Sequence, residues 1–157
     1  MKGFYKSYYL VDNNKINLDE FNRSSYNYKV YFSPIIDCLI AEAYNEKKEI
    51  YWVIYYLKDF SDKIYDFHIN SFGKDVKISL CNQLNNGVEL IFFKDRKVSK
   101  YSVENYYDDG RPKLLQLFDG NFELVEYRKS IYNEHNIHIQ EKIFFADSWT
   151  IHTEKMI

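Results

Sequence analysis

The stretch VKISLCNQLNNGVELIFF, residues 76–93, indicates the fold class of this 157-residue chain. On both sides of Asn86-Gly87 the apolar residues either alternate with polar ones or form short runs rich in Val, Ile and Phe, which is typical of β-strands. An Asn-Gly pair between two such runs predicts a two-residue turn. The stretch therefore predicts an antiparallel hairpin, with strands at residues 76–84 and 88–93.

The same pattern recurs along most of the chain, in which 30 residues are aromatic: 16 Tyr, 12 Phe and 2 Trp. It predicts further strands at residues 4–11, 15–18, 26–32, 50–57, 64–69, 98–103, 114–118, 122–132, 137–145 and 149–153. An open sheet of about ten strands rarely stays flat. We therefore expect a strongly curled or two-layer meander that is predominantly antiparallel.

One segment carries a helical pattern instead. Ser33-Pro34 resembles an N-cap followed by proline at the first helical position, where a missing N–H costs nothing. Beyond it, apolar residues recur at intervals of three and four: Ile35, Ile36, Leu39, Ile40, Ala43 and Tyr44. The sequence thus predicts one short helix near residues 34–45 and an α+β fold.

Length and composition indicate one globular domain that spans residues 1–157. The chain has only 2 Pro and 5 Gly and no linker-like stretch. A net charge of −2 with 46% hydrophobic residues excludes disorder and argues against general affinity for polyanions. No apolar run approaches the roughly 20 residues of a membrane span, and two distant cysteines do not suggest a disulfide framework. We expect a cytoplasmic protein that does not enter a membrane.

Histidines supply the only candidates for catalysis or metal binding, and their spacing is weak. Asp66 and His68 share a face of the predicted strand, as do His152 and Glu154, but two groups do not make a catalytic triad. His135 and His138 would point to opposite faces. The chain has no nucleophile elbow, phosphate loop or dinucleotide-binding turn. We therefore expect neither an enzyme nor a bound metal or cofactor.

Two aromatic segments with interleaved lysines, FYKSYY at residues 4–9 and YNYKVYF at residues 26–32, suggest one alternative function. Sheets that bind single-stranded nucleic acid expose rings for base stacking and use lysines to hold phosphates. The same composition also fits strands whose alternate rings are buried while the lysine ammonium groups reach water. Both interpretations stay open on the sequence alone.

An acidic segment between Glu104 and Glu126 indicates a protein-binding surface, because six carboxylates there face only two cations. Its turn, NYYDDGR at residues 105–111, combines two tyrosines with two aspartates. Tyrosine supplies rigid contact area, and carboxylates steer a basic partner. A solvated turn whose aspartates cap backbone N–H groups is the competing interpretation. The predicted partner-binding residues are Tyr106, Tyr107, Asp108, Asp109, Arg111, Asp119 and Glu123.

In general character the chain resembles the immunity proteins of bacterial polymorphic-toxin and contact-dependent inhibition systems. These are small, slightly acidic domains of antiparallel strands, rich in Tyr, Asn and Asp. The segment YYDDGRPKL, residues 106–114, is also similar to the hairpin unit of repeat-containing antitoxin-like proteins; the comparable place at residues 132–136 has no glycine. The resemblance implies an inhibitor that blocks the active site or cleft of one cognate toxin, often a nuclease, without catalysis or a cofactor.

We therefore expect a toxin-neutralising protein whose partner has a basic surface. The single-stranded nucleic-acid-binding domain is the first alternative. The second is a small-ligand-binding domain or enzyme with a pocket rimmed by His68, His138 or His152.

Overall fold

A computed structural model describes residues 7–10, 14–145 and 151–156 of the chain. The described residues fall into two compact units, of which unit 1 comprises residues up to 81 together with 93–96. Unit 2 comprises residues 82–92 and those from 97 onward. These residues are mostly β-structure, as the sequence predicts, but they contain two helices where one is expected.

Unit 1 is a mixed sheet with two helices. Its elements are β1 (Ser7–Leu10), β2 (Lys15–Ile16), α1 (Leu18–Arg23), β3 (Asn27–Ser33), β4 (Cys38–Tyr44), β5 (Ile50–Tyr55), α2 (Asp62–Phe72) and the first residues of β6 (Lys77–Leu84). The strand order is β2-β1-β3-β4-β5-β6. The β5–β6 pair is parallel, with α2 as the connection between the two strands. This pair departs from the predominantly antiparallel sheet that the sequence predicts. A parallel pair needs a long crossover, and α2 supplies it.

The helix predicted near residues 34–45 is wrong. Residues 34–37 form a turn, and Cys38–Tyr44 is strand β4, paired with β3 on one side and β5 on the other. Four consecutive residues of β4, Ile40 to Ala43, are at most 3% exposed. Such a strand is covered on both faces, so its apolar residues need not alternate and can imitate helical spacing.

The strand predicted at residues 64–69 is wrong in the opposite sense, because this segment belongs to helix α2. The Ser61 hydroxyl group accepts a hydrogen bond from the N–H of Ile64, as an N-cap does. Ile64 and His68, four residues apart, are the buried residues of the helix. The alternation of Tyr65, Phe67 and Ile69 was therefore coincidental, and Asp66 and His68 do not share a strand face.

Helix α1 replaces the end of the strand predicted at residues 15–18. The Asn17 side chain accepts from the N–H of Glu20, and the Glu20 carboxylate accepts from the N–H of Asn17, both at 2.9 Å. This capping box satisfies two N–H groups that the first helical turn leaves unpaired. Helix α1, which has six residues, begins directly after this box.

The core of unit 1 lies where α2 covers the central strands. Ile40, Tyr55 and Leu80 occupy paired positions on β4, β5 and β6, and each is at most 1% exposed. The Tyr55 hydroxyl group lies 2.9 Å from Nδ1 of His68, and Nε2 of His68 lies 2.9 Å from the carbonyl oxygen of Val76. These contacts fix α2 to the sheet through buried polar groups that are all paired.

Unit 2 is a meander of consecutive hairpins. It contains the last residues of β6, β7 (Gly87–Lys94) as far as Phe92, β8 (Lys97–Tyr106), β9 (Pro112–Asp119), β10 (Leu124–Tyr132), β11 (His138–Phe145) and β12 (Ile151–Met156). Each strand from β8 to β12 pairs antiparallel with the next. The strand order in each unit is linear and does not close on itself. The strands are placed as the sequence predicts, whereas the expected curl of the sheet stays a prediction.

Four hairpins share one five-residue turn. In each, the first N–H donates to the fifth carbonyl group and the fourth N–H donates to the first carbonyl group. The fourth residue has a positive φ, a conformation that favours glycine. The four turns are Asn45–Glu49 (Lys48, φ 62°), Tyr107–Arg111 (Gly110, φ 85°), Asp119–Glu123 (Phe122, φ 63°) and Asn133–Ile137 (Asn136, φ 60°).

The Asn-Gly hairpin is present, but its turn is Asn85-Asn86, and Gly87 already belongs to β7. A Cβ atom at Gly87 would lie 2.3 Å from the carbonyl oxygen of Glu104. Glycine is needed there for a close backbone approach rather than for a left-handed turn. Among the described residues, no helix is both long and apolar enough to cross a membrane.

Candidate functional site

The loop at residues 107–111 joins β8 to β9 and is closed mainly by its own residues. Asp109 accepts a hydrogen bond from the N–H of Arg111 at 3.1 Å, and its second oxygen pairs with Arg111 Nε at 2.7 Å. The backbone N–H and the guanidinium of Arg111 hold the pKa of the Asp109 carboxyl group below its usual value. The negative charge of Asp109 is therefore already paired with a positive charge within the loop.

Two tyrosine rings from neighbouring hairpins meet beside this loop. The rings of Tyr107 and Tyr132 pack edge to face with centroids 6.0 Å apart. The Arg111 guanidinium lies 5.2 Å from the Tyr107 ring and 4.6 Å from the Tyr132 ring, which is cation–π distance. The Tyr132 hydroxyl group donates to the carbonyl oxygen of Pro112 at 2.6 Å.

Asp108 differs from its neighbour because it points to a third hairpin. One of its oxygens accepts a hydrogen bond from the Asn86 side chain at 3.1 Å, and the residue is exposed. Asn86 also accepts a backbone hydrogen bond from Tyr106 through its carbonyl oxygen. The sequence gives no reason to distinguish Asp108 from Asp109, yet Asp109 pairs within its own loop whereas Asp108 bonds to a different hairpin.

Asp119 and Glu123 do not join this group. They lie in the next turn, at the opposite end of β9, and the strand's eight residues separate the two ends by roughly 23 Å. The Asp119 carboxylate accepts from the N–H groups of Asn121 (2.8 Å) and Glu123 (3.1 Å). Asp119 therefore caps backbone N–H groups. The competing interpretation expected this role of the aspartates in the turn at residues 105–111, where Asp109 has it too.

Tyr132 and Asn86 belong to the site geometrically but were not predicted. The signal for Tyr132 was its place before a turn of the same type, Asn133–Ile137. The missing glycine concealed this equivalence, because Asn136 adopts the left-handed conformation instead. His138 also packs near the Tyr132 ring at 5.2 Å, and its buried Nε2 atom has no hydrogen-bond partner among the described residues.

The lysine of the Tyr/Lys segment in β3 is paired with a carboxylate of the neighbouring strand. Lys29 Nζ lies 2.5 Å from the Glu42 carboxylate, which also accepts hydrogen bonds from Tyr31 (2.6 Å) and Tyr44 (2.5 Å). Burial and the Glu42 contact raise the pKa of Tyr44 to about 12 and also raise that of Tyr31. The Lys29 charge is thus bound to a buried carboxylate. Of the segment at residues 4–9, residues 4–6 lie outside the described residues.

The remaining histidine candidates are His68 and His152. His68 is 1% exposed, and burial lowers its pKa. The side chain of His152 lies outside the described part of the structure. Within that part, no three His, Cys, Asp or Glu side chains gather as metal ligands. Cys38 is buried in strand β4, and burial raises the pKa of its thiol to about 11.

Comparison with known proteins gives no relative: no family model, no curated protein and no solved structure matches the chain.

Proposed function

We propose that this chain is a protein-binding inhibitor, most specifically an immunity protein that neutralises a cognate bacterial toxin in the cytoplasm. One observation carries the proposal: exposed Asp108 stands beside tyrosine rings that the chain itself holds in place. Tyr107 is fixed by the Tyr132 ring and the Arg111 guanidinium, and Asp108 is held by Asn86. The surface is therefore ordered before a partner arrives.

Preorganisation favours tight binding because less side-chain freedom is lost on association. A fixed tyrosine offers a large amphipathic contact area with few rotatable bonds. An exposed carboxylate beside it attracts a basic partner and speeds the encounter. These properties support a surface that binds protein, and they require no reaction.

The mechanism that fits is occlusion. The loop at residues 107–111 enters a basic cleft of the toxin, such as the substrate cleft of a nuclease, with Asp108 occupying a place that a substrate phosphate would take. Neutralisation then depends on affinity and shape, and no bond is made or broken.

A growth assay in bacteria that express the toxin domain tests the proposal. The C-terminal domain of the protein encoded immediately upstream is expressed with and without this chain. We expect arrest by the domain alone and normal growth when both are present. Arrest that persists despite co-expression, or an upstream product that does not arrest growth, would contradict the proposal.

A further inference from the structure

The recognition surface of unit 2 extends beyond the loop at residues 107–111, and its geometry depends on one side chain. Arg111 contacts three groups at once: the carboxylate of Asp109, the ring of Tyr107 and the ring of Tyr132. These groups come from two hairpins, because Tyr132 lies at the end of β10. Arg111 therefore links the ends of two hairpins whose strands β9 and β10 are already paired.

We infer that Tyr132 is part of the surface that binds the partner and that Arg111 is a positioning residue for Tyr107 and Tyr132. This inference rests on the proposed function and names two further features of the same site. Arg111 does not meet the partner as a free cation.

Burial and pairing support a positioning role. The Arg111 side chain is only 29% exposed, and its Nε is already bound to Asp109. A guanidinium is planar and can stack on rings while it donates in its own plane, whereas an ammonium group cannot do both. Lysine at this position would keep the charge and lose the arrangement. Lys113, whose Nζ lies 5.4 Å from the Tyr107 ring, contacts one ring of the pair.

Contacts of Tyr132 connect it to the same loop. Its hydroxyl group donates to Pro112, the residue after Arg111, and its ring lies beside Tyr107. A displacement of Tyr132 would therefore remove the support of Tyr107 from one side. The two rings behave as one contact surface in this arrangement.

Measured association and dissociation rates distinguish a positioning role of Arg111 from a role of its positive charge. The variant Arg111→Lys is compared with Arg128→Lys, because Arg128 also pairs through Nε with a carboxylate two residues earlier, Glu126. With the upstream-encoded toxin domain as the probe, we expect Arg111→Lys to raise the dissociation rate about tenfold and leave the association rate within about twofold. Arg128→Lys should change neither rate. An Arg111→Lys protein that binds like the wild type would overturn the inference.

A second measurement does not need the partner. In ¹³C-labelled tyrosine spectra of the full chain, Arg111→Lys should shift the ring signals of both Tyr107 and Tyr132 while circular dichroism stays unchanged. Unshifted rings would refute the positioning role even if the toxin is neutralised. Shifted rings in a protein that binds no toxin would instead count against the proposed function alone.

Discussion

Lys29 and Glu42 form an ion pair of 2.5 Å between neighbouring strands β3 and β4, in which the Glu42 side chain is 5% exposed. The Glu42 carboxylate also accepts from the hydroxyl groups of Tyr31 and Tyr44. A buried charge with this many partners specifies the register of both strands, because a shift of one residue would move it to the other face.

Glu42→Gln should lower the free energy of unfolding by about 3 kcal/mol, because Lys29 would lose its counter-charge in a poorly solvated place. Urea unfolding at neutral pH measures the effect. Glu134→Gln is the control: Glu134 is exposed, so this substitution should change the free energy of unfolding by less than about 0.5 kcal/mol. Adding Lys29→Met to Glu42→Gln should recover part of the loss. Equal stabilities of the Glu42 and Glu134 variants would contradict the assigned role.

Acid should destabilise unit 1 through His68. Burial lowers the pKa of His68 in the folded chain, so the unfolded chain binds the proton more readily. The contribution of His68 is fully present above the unfolded pKa of about 6.5 and is lost as the pH falls below that value. The free energy of unfolding should therefore decrease between about pH 7 and about pH 5.5.

Urea unfolding across this range checks the His68 prediction. His68→Gln should reduce the pH dependence of the free energy of unfolding and lower that free energy at every pH. His135→Gln, a substitution at an exposed position, is the control and should leave the pH dependence unchanged. Parallel curves for the wild type and His68→Gln would show that another group is responsible.

Gly87→Ala should destabilise unit 2 by about 2 kcal/mol, because the added Cβ atom would collide with the backbone carbonyl group of Glu104. Gly73→Ala provides the comparison: it meets open space, and its positive φ of 90° alone should cost about 1 kcal/mol. Thermal unfolding of both variants distinguishes a steric collision from backbone strain. A smaller effect at Gly87 than at Gly73 would rule out the close approach.

Tyr107→Ala combined with Asp108→Ala should weaken toxin binding by a few kcal/mol, since both groups are ordered and reachable. Asp108→Ala alone should act mainly on the association rate and lose its effect at high salt. Glu123→Ala, at the far end of β9, should leave affinity unchanged. Calorimetric titration supplies the affinities, and circular dichroism verifies the fold. If Glu123→Ala were the more damaging change, the binding surface would lie at the other end of the hairpins.

Strand positions in unit 2 were predictable because its hairpins are local. Leu114 to Phe118 and Ile137 to Phe145 fall inside strands β9 and β11 apart from Ile137 itself. In such strands, periodicity and turn residues alone indicate the structure.

The secondary structure of unit 1 was less predictable because it depends on contacts between residues that are distant in the sequence. Within the segment predicted as a helix, Cys38–Tyr44 is a strand because β3 and β5 pair with its two edges. The segment at residues 64–69 became a helix since the parallel pair β5–β6 needs a crossover. Local signals for both helices were nevertheless present, namely the Ser61 N-cap and the Asn17 capping box.

The candidate site was predictable in part. Tyr107, Asp108, Asp109 and Arg111 do come together, but their different roles depend on contacts that spacing cannot encode. Asp109 pairs inward with Arg111, whereas Asp108 pairs with Asn86, 22 residues away. Tyr132 reaches the site only because β10 lies beside β9 in the sheet.

In the shared five-residue turn, the side chains at the tip of the hairpin take no part in the backbone hydrogen bonds that close the turn. Its defining hydrogen bonds run between backbone groups of the first, fourth and fifth residues. The second and third residues are Asp108 and Asp109 in one turn and Glu134 and His135 in another. The two residues at the tip can therefore differ from one hairpin to another without any change in the backbone hydrogen bonds that close the turn.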